Sequence, residues 1–214
     1  MSLFKNLLQF CFPQVCVACD RLGNYFCPQC QDQIDFLYYQ PKFKPLIGLI
    51  NDVHILGFFT PPLSTVIKSL KYHSLYPIGS ILGDLLYKHL PLPTTIDCVT
   101  AVPLHPKRFA QRGYNQAELI AQQLANRLGK PYQPLLLRRR HTQNLATAAN
   151  DQERFQLINQ AFGLNLTFQS VVPGKNILLV DDVITTGSTL AACAAQLKQA
   201  GAAQIFAAAV AHEG

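Results

Sequence analysis

The sequence has few charges. Only 14% of its 214 residues are Asp, Glu, Lys or Arg, while 49% are hydrophobic, and it has no Trp. That balance excludes a disordered chain, and this length is enough to bury a substantial core. By the rough guide of about 150 residues per domain, one full domain with a small satellite is expected, or two small domains. No stretch approaches the roughly 18 consecutive apolar residues of a membrane-spanning helix, so no membrane insertion is expected. The apolar stretch Leu7–Cys19 hints at a leader, with Val17-Ala18-Cys19 faintly like a lipoprotein cleavage site. Lys5 is the only basic residue before it, Gln9, Pro13 and Gln14 interrupt it, and cleavage there would destroy the cysteine set below. A cytoplasmic protein is the expectation. There is no G-x-x-x-x-G-K-[ST] nucleotide loop, no internal repeat, and no biased tract beyond the Ala-rich residues 191–211.

The formal net charge is +6, and it is concentrated. Between Ala101 and His141, Lys107, Arg108, Arg112, Arg127, Lys130, Arg138, Arg139 and Arg140 face only Glu118, which makes that segment +7 and leaves the rest at −1. Arg dominates it, and a guanidinium presents paired donors to phosphate. An anionic ligand is therefore expected there. Pyrophosphate and nucleic acid remain open, with Phe109, Tyr114 and Tyr132 available for base stacking or for the core.

Four of the seven cysteines form C-x2-C, seven residues, then C-x2-C: Cys16, Cys19, Cys27 and Cys30. Two such knuckles bring four thiolates to one tetrahedral centre, the geometry Zn²⁺ prefers, and a four-Cys site is closed and structural. Cys98 and Cys193 read as small core residues, and Cys11 as another core residue or a spare ligand.

Strands are expected over Val53–Phe59, Asp97–Val102, Leu135–Leu137, Lys175–Val180 and Gln204–Ala211. Helices are expected from Leu63, over Ile78–Leu90, Tyr114–Leu128 and Ser188–Ala200, with a basic loop over Leu104–Gly113. Pro41, Lys42, Lys44 and Pro45 read as a linker, and the polar residues 141–160 as a mobile lid. The expected divisions are a zinc module over 1–40, a connecting strand and helices over 41–94, and a core over 95–214. From residue 95 strands alternate with helices, which predicts an α/β fold with a parallel sheet flanked by helices.

Ile177–Leu190 reads I-L-L-V-D-D-V-I-T-T-G-S-T-L. Asp181 and Asp182 are expected to cap the carboxyl end of a buried strand, where their oxygens accept hydrogen bonds from vicinal hydroxyls such as those of ribose. Thr185, Thr186, Gly187, Ser188 and Thr189 then lead into a helix, whose first amides and dipole form an anion site. Gly187 permits positive φ, and the hydroxyls add donors to phosphate.

Val180–Thr189 resembles the phosphoribosyl pyrophosphate (PRPP) motif of type I phosphoribosyltransferases. The four-Cys module, Val102-Pro103-Leu104, and Arg112-Gly113-Tyr114-Asn115-Gln116-Ala117-Glu118-Leu119 together resemble the ComF/GntX family, associated with natural competence. Leu70-Lys71-Tyr72, Gln143, Arg154, Asn159 and Ala161-Phe162 fit the same pattern. The resemblance implies a type I phosphoribosyltransferase-like fold with an N-terminal zinc module. It implies that Asp181 and Asp182 hold ribose hydroxyls and help place Mg²⁺, and that Thr185–Thr189 hold the 5′-phosphate. Pyrophosphate would meet Lys107, Arg108 and Arg112, with Arg138, Arg139 and Arg140 as further phosphate or nucleic-acid contacts. In type I phosphoribosyltransferases pyrophosphate leaves C1′ through an oxocarbenium-like state. Neither His105 nor His141 is a convincing general base, so binding without turnover and transfer to an unidentified acceptor both stay open. The implied partners are PRPP or a similar phosphosugar, single-stranded DNA, and other competence proteins such as an ATP-dependent DNA translocase or a recombination mediator.

Overall fold

The computed structural model describes residues 13–38, 41–139 and 161–214. Cys11, Arg140, His141, Gln143, Arg154, Asn159 and the expected lid over 141–160 lie outside the described residues. The helices are α1 (Pro28–Gln31), α2 (Leu63–Tyr72), α3 (Pro77–His89), α4 (Pro106–Arg112), α5 (Gln116–Leu128) and α6 (Ser188–Gln199). The strands are β1 (Asp52–Phe58), β2 (Cys98–Ala101), β3 (Leu136–Arg138), β4 (Phe162–Leu164), β5 (Asn176–Ile184) and β6 (Gln204–His212).

Four strands form one sheet in the order β1-β6-β5-β2, with every neighbouring pair parallel. Such a sheet must be covered on both faces, which is why β5 and β6 read as nearly continuous apolar runs. Alternation along β5 sends Leu178 and Val180 to one face, against Val66, Leu70, Leu82, Leu86, Ile120 and Leu124 of α2, α3 and α5. Ile177 and Leu179 go to the other, against Leu190, Ala191, Ala194 and Leu197 of α6. Small side chains on both partners, such as Ala207 and Ala209 of β6, let α6 lie close to the sheet. Cys98 and Cys193 are buried in this second core. Each fully buried Leu or Ile stabilises the fold by roughly 1.5–3 kcal/mol.

The N-terminal module packs into the first core through Phe26, Cys27, Cys30 and Ile34. Its exit segment runs antiparallel to β1: Leu37 N–H donates to Leu56 O at 3.0 Å and Phe58 N–H to Asp35 O at 2.9 Å. That segment covers the free edge of β1.

The structure corrects four expectations. Leu104–Gly113 is not a loop: Pro106–Arg112 is helical, with Pro106 at the first position, His105 Nδ1 accepting from Lys107 N–H at 3.1 Å, and Gly113 in the left-handed region at φ 79° as its stop. The carboxylates do not cap β5. The strand continues through them to Ile184, because β6 goes on pairing as far as Ile184 with His212. The linker reading fails at Lys44–Leu46, a 3-10 turn whose Leu46 is buried. Finally, β3 is not part of the parallel sheet. It pairs antiparallel with β4 in a separate two-stranded sheet. No helix among the described residues is long and apolar enough to cross a membrane.

Candidate functional site

The site forms where β5 loses a neighbour. The ladder between β2 and β5 ends at Ala101 with Val180. Val102 N–H still donates to Val180 O at 2.9 Å, but Pro103 has no N–H to continue and the chain turns away. One residue further along β5 stand Asp181 and Asp182, beside the gap this leaves at the carboxyl end of the sheet. Crevices of this kind are where open α/β sheets hold ligands.

A cavity of about 430 Å³ opens there. Asp181, Asp182 and Thr189 line it from β5 and α6, Arg108 and Arg112 from α4, and Arg138 from β3. Four cations, counting Lys71 of α2, surround two carboxylates. A polyanion with hydroxyls suits that balance.

The two acids differ. Alternation turns Asp182 toward α2, where its Oδ2 lies 2.9 Å from Lys71 Nζ. Its Oδ1 accepts from Val183 N–H at 2.8 Å. Asp181 Oδ1 accepts from Asp182 N–H at 2.9 Å. Burial and the adjacent Asp182 carboxylate push the Asp181 carboxyl well above the ordinary range, against the opposing pull of the Asp182 N–H and of Lys71. Burial, with Arg108 nearby, lowers the Arg138 guanidinium below its usual value. The Arg138 guanidinium also stacks 5.1 Å from the Phe162 ring centroid.

The sign of the Asp181 shift gives a prediction. A carboxyl raised in the folded state binds its proton more tightly there than in the unfolded chain, so stability is lost as pH rises from the ordinary carboxylate value through the raised one. Asp181→Asn removes that loss. Thermal melts of the ligand-free protein at neutral pH should show the variant a few degrees more stable, an effect of roughly 1 kcal/mol. A lower melting temperature would refute the assignment.

Beyond the acids, Thr185–Gly187 form a tight loop into α6. Thr186 Oγ1 and Ser188 Oγ lie 2.9 Å apart, and Gly187 sits at φ 79° as the N-cap of α6 without a capping side chain. Ser188 N–H donates weakly to Thr186 Oγ1 at 3.4 Å, and the next amides of the turn with the helix dipole are left for an anion. A cavity of about 30 Å³ at this loop shares Asp181 and Thr189 with the larger one. Gly187 has a second constraint: a Cβ there would stand 3.2 Å from Phe43 Cβ and 3.3 Å from Leu46 Cγ. The segment first read as a linker therefore backs the loop.

The other expected residues divide. Lys107 lies on α4 without lining the cavity, and Arg139 packs its guanidinium over Gly163. Tyr114 is buried and donates its hydroxyl to Leu70 O, and Tyr132 is half-buried, its phenol raised by that burial and by Glu118. Only Phe109 of the three aromatics is exposed. The exposed ring that lines the cavity is instead Tyr72, over which the Arg112 guanidinium lies at 5.3 Å, while exposed Tyr76 sets its ring 4.5 Å from that of Tyr114.

The sequence assigned no role to Lys71, Tyr72, Gln111, Asn115 or Gln116, all of which line the cavity. Asn115 caps α5 through Ala117 N–H at 3.2 Å and donates to Val102 O at 2.9 Å, pinning the helix to the end of β2. Gln116 is buried, and among the described residues its Oε1 has no hydrogen-bond partner. Both lie in the R-G-Y-N-Q stretch, the one signal that marked them.

In the N-terminal module, Cys16, Cys19, Cys27 and Cys30 place their sulfurs within 4.8 Å of one another. Cys16 Sγ and Cys30 Sγ are 3.8 Å apart, and Cys19 Sγ and Cys27 Sγ 3.6 Å. A tetrahedron with Zn–S of about 2.3 Å has an edge of about 3.8 Å, so the residues fit the ion. Burial raises the Cys16 thiol, but amide donors led by Cys27 N–H outweigh it and bring it down to about 6. That favours the thiolate a metal needs at Cys16, while burial and the neighbouring cysteines push the Cys30 thiol up.

A phosphoribosyl transferase domain model matches residues 115–214. Lys71, Tyr72, Arg108 and Arg112 precede the matched stretch, so half of the cavity wall comes from outside it. The DNA utilization protein YhgH of Salmonella typhimurium is 33% identical over 208 residues, 89% of this chain and 86% of that one. Competence protein F of Haemophilus influenzae is 29% identical over 211 residues, 89% of this chain and 87% of that one. Among solved structures, the glutamine PRPP amidotransferase of B. subtilis, complexed with ADP and GMP, is 23% identical with a TM-score of 0.44, over 61% of this chain and 25% of that one. With one-third identity across nearly its whole length to such a relative, the chain belongs to the ComF/GntX family, that of competence protein F and the DNA utilization protein YhgH.

Proposed function

We propose that the chain is a competence-associated, phosphoribosyltransferase-like protein that binds PRPP or a related phosphosugar with Mg²⁺ and acts with single-stranded DNA during DNA uptake. The observation that carries this reading is one cavity bordered by Asp181, Asp182, the start of α6 and three Arg. A phosphorylated ribose spans it, with its hydroxyls at the carboxylates, its 5′-phosphate at Thr185–Thr189 and its pyrophosphate toward Arg108, Arg112 and Arg138. Carboxylate oxygens beside a phosphate site suit Mg²⁺, which takes one or two carboxylates together with substrate phosphates. When bound, the ion neutralises charge on the pyrophosphate. The four-Cys module holds a structural zinc ion.

The chain's residues do the rest. The α6 amides and the Thr and Ser hydroxyls fix one end of the ligand, and the Arg side chains fix the other. The test is pyrophosphate release from PRPP over a panel of bases and nucleic acids, alongside calorimetric binding of PRPP. Binding with release identifies a transferase, binding without release a sensor, and absence of binding at millimolar PRPP overturns the proposal.

The DNA part is supported by exposed Tyr72, Tyr76 and Phe109 beside Arg112, which offer stacking and charge. Affinity for a single strand should fall steeply with salt. Lys107→Ala with Arg139→Ala, both outside the cavity lining, should weaken it for every sequence and lower the log–log salt slope by about one per residue. PRPP binding should be unchanged. Salt-independent affinity would remove DNA from the proposal.

A further inference from the structure

The only salt bridge to Asp182 among the described residues comes from Lys71, which precedes the last residue of α2 and lies outside the matched transferase domain. The two side chains are 20% and 9% exposed, so the pair is largely withdrawn from water. Asp182 Oδ1 is tied to the backbone by Val183 N–H, and Oδ2 is ion-paired with Lys71 Nζ at 2.9 Å without hydrogen-bond geometry. Without ligand, the carboxylate expected to receive a ribose hydroxyl or a metal ion is therefore already engaged.

We propose that Lys71 is a built-in counter-ion of Asp182 that releases the carboxylate only to a polyanion. A metal ion or a ribose hydroxyl pair then gains Asp182 only when a phosphate or pyrophosphate group arrives with it. The inference rests on the phosphoribose reading of the cavity.

The argument is one of charge balance. A bare divalent cation that takes Asp182 leaves the Lys71 ammonium unpaired in a cavity already lined by Arg108, Arg112 and Arg138. Burying an unpaired charge beside like charges is costly. Pyrophosphate supplies the alternative acceptor. The Lys stem is flexible, with a compact charge at its end, so Nζ can change partner while α2 stays in place. Metal and polyanion thus bind with positive coupling, and the coupling is reciprocal. Nucleosides and free metal, which carry no polyanion, are refused.

The probe is Mn²⁺, followed by the loss of its free electron-paramagnetic-resonance signal, with and without inorganic pyrophosphate. In the wild-type chain, pyrophosphate should tighten Mn²⁺ by about tenfold, the scale of one charge-assisted hydrogen bond. Lys71→Met should bind Mn²⁺ alone about tenfold tighter than wild type and pyrophosphate alone about tenfold weaker, with the coupling gone. Lys71→Arg should keep the coupling. If the Met variant does not fold, Lys71→Gln carries the same expectations. Mn²⁺ affinity that is unchanged, weaker or undetectable in the Met and Gln variants overturns the proposal. Failure of the phosphoribose reading looks different: the wild-type chain then binds neither pyrophosphate nor PRPP, whatever Mn²⁺ does in the variants.

Discussion

Replacing Cys27 and Cys30 by Ser is expected to remove the metal and unfold the N-terminal module in one step. Elemental analysis should find about one zinc per wild-type chain and none in the variant. The module has little else to hold it. Its described residues contribute Phe26, Ile34, Leu37, Cys16, Cys27 and Cys30 to the buried set, and α1 is one turn long. Zinc contributes about 10–16 kcal/mol of apparent binding free energy in small finger peptides, far more than these few side chains can replace. Without the ion, a thiolate at Cys16 has only thiols and amides around it. The damage should also spread beyond the module. Asp35 and Leu37 pair with β1, and Phe26, Cys27, Cys30 and Ile34 share a core with Leu56, Val66 and Leu70. Limited proteolysis should therefore cut the variant first before residue 38 and then near β1. A metal-free double variant that stays folded and resists protease would sink the structural-zinc assignment.

Much of this architecture is legible in the sequence, because strong local signals and tertiary demand agree. The run Ile177–Val180 had to be a buried strand, and Gly187-Ser188 had to open a helix. What was missed depends on distant partners. Nothing in Asp181-Asp182 itself says that β6 will go on pairing past them, and that pairing turns the acids toward opposite faces of the sheet. The basic stretch at Leu104–Gly113 read as a loop because its charge hid a proline start and a glycine stop. Phe43 and Leu46 back the Thr185–Gly187 loop from more than a hundred residues away, a contact that no local pattern encodes. Lys71 is the clearest case. Locally it is a cation near the end of an amphipathic helix, where the helix dipole alone would explain it. Only the packing of α2 over β5 shows that its partner is a carboxylate of the site. Tyr114 shows the converse: an aromatic in a basic segment looked available for stacking, yet its ring is core and its hydroxyl serves Leu70 O.

Asp182→Asn is expected to abolish stabilisation by PRPP with Mg²⁺. In the wild-type chain a ligand at a hundred times its dissociation constant adds about 2.7 kcal/mol, which for a chain of this size raises the melting temperature by roughly 5–10 °C. Asparagine keeps the shape of the side chain and its Oδ1 contact with Val183 N–H, so the loop and β5 should stay in place. It removes the charge that would accept a ribose hydroxyl or a metal ion. It also leaves Lys71, whose side chain is only 20% exposed, without its partner, so the ligand-free variant should melt below wild type. The companion Asp181→Asn separates ligand binding from stability. It should weaken the ligand shift while raising the ligand-free melting temperature, since it relieves the repulsion between adjacent carboxylates. Opposite changes in basal stability, with a loss of ligand response in both, distinguish two carboxylates of one binding site from two that merely hold the fold. An unaltered shift in Asp182→Asn would mean that the carboxylate facing Lys71 does not touch the ligand, and the placement of the ribose would have to be abandoned.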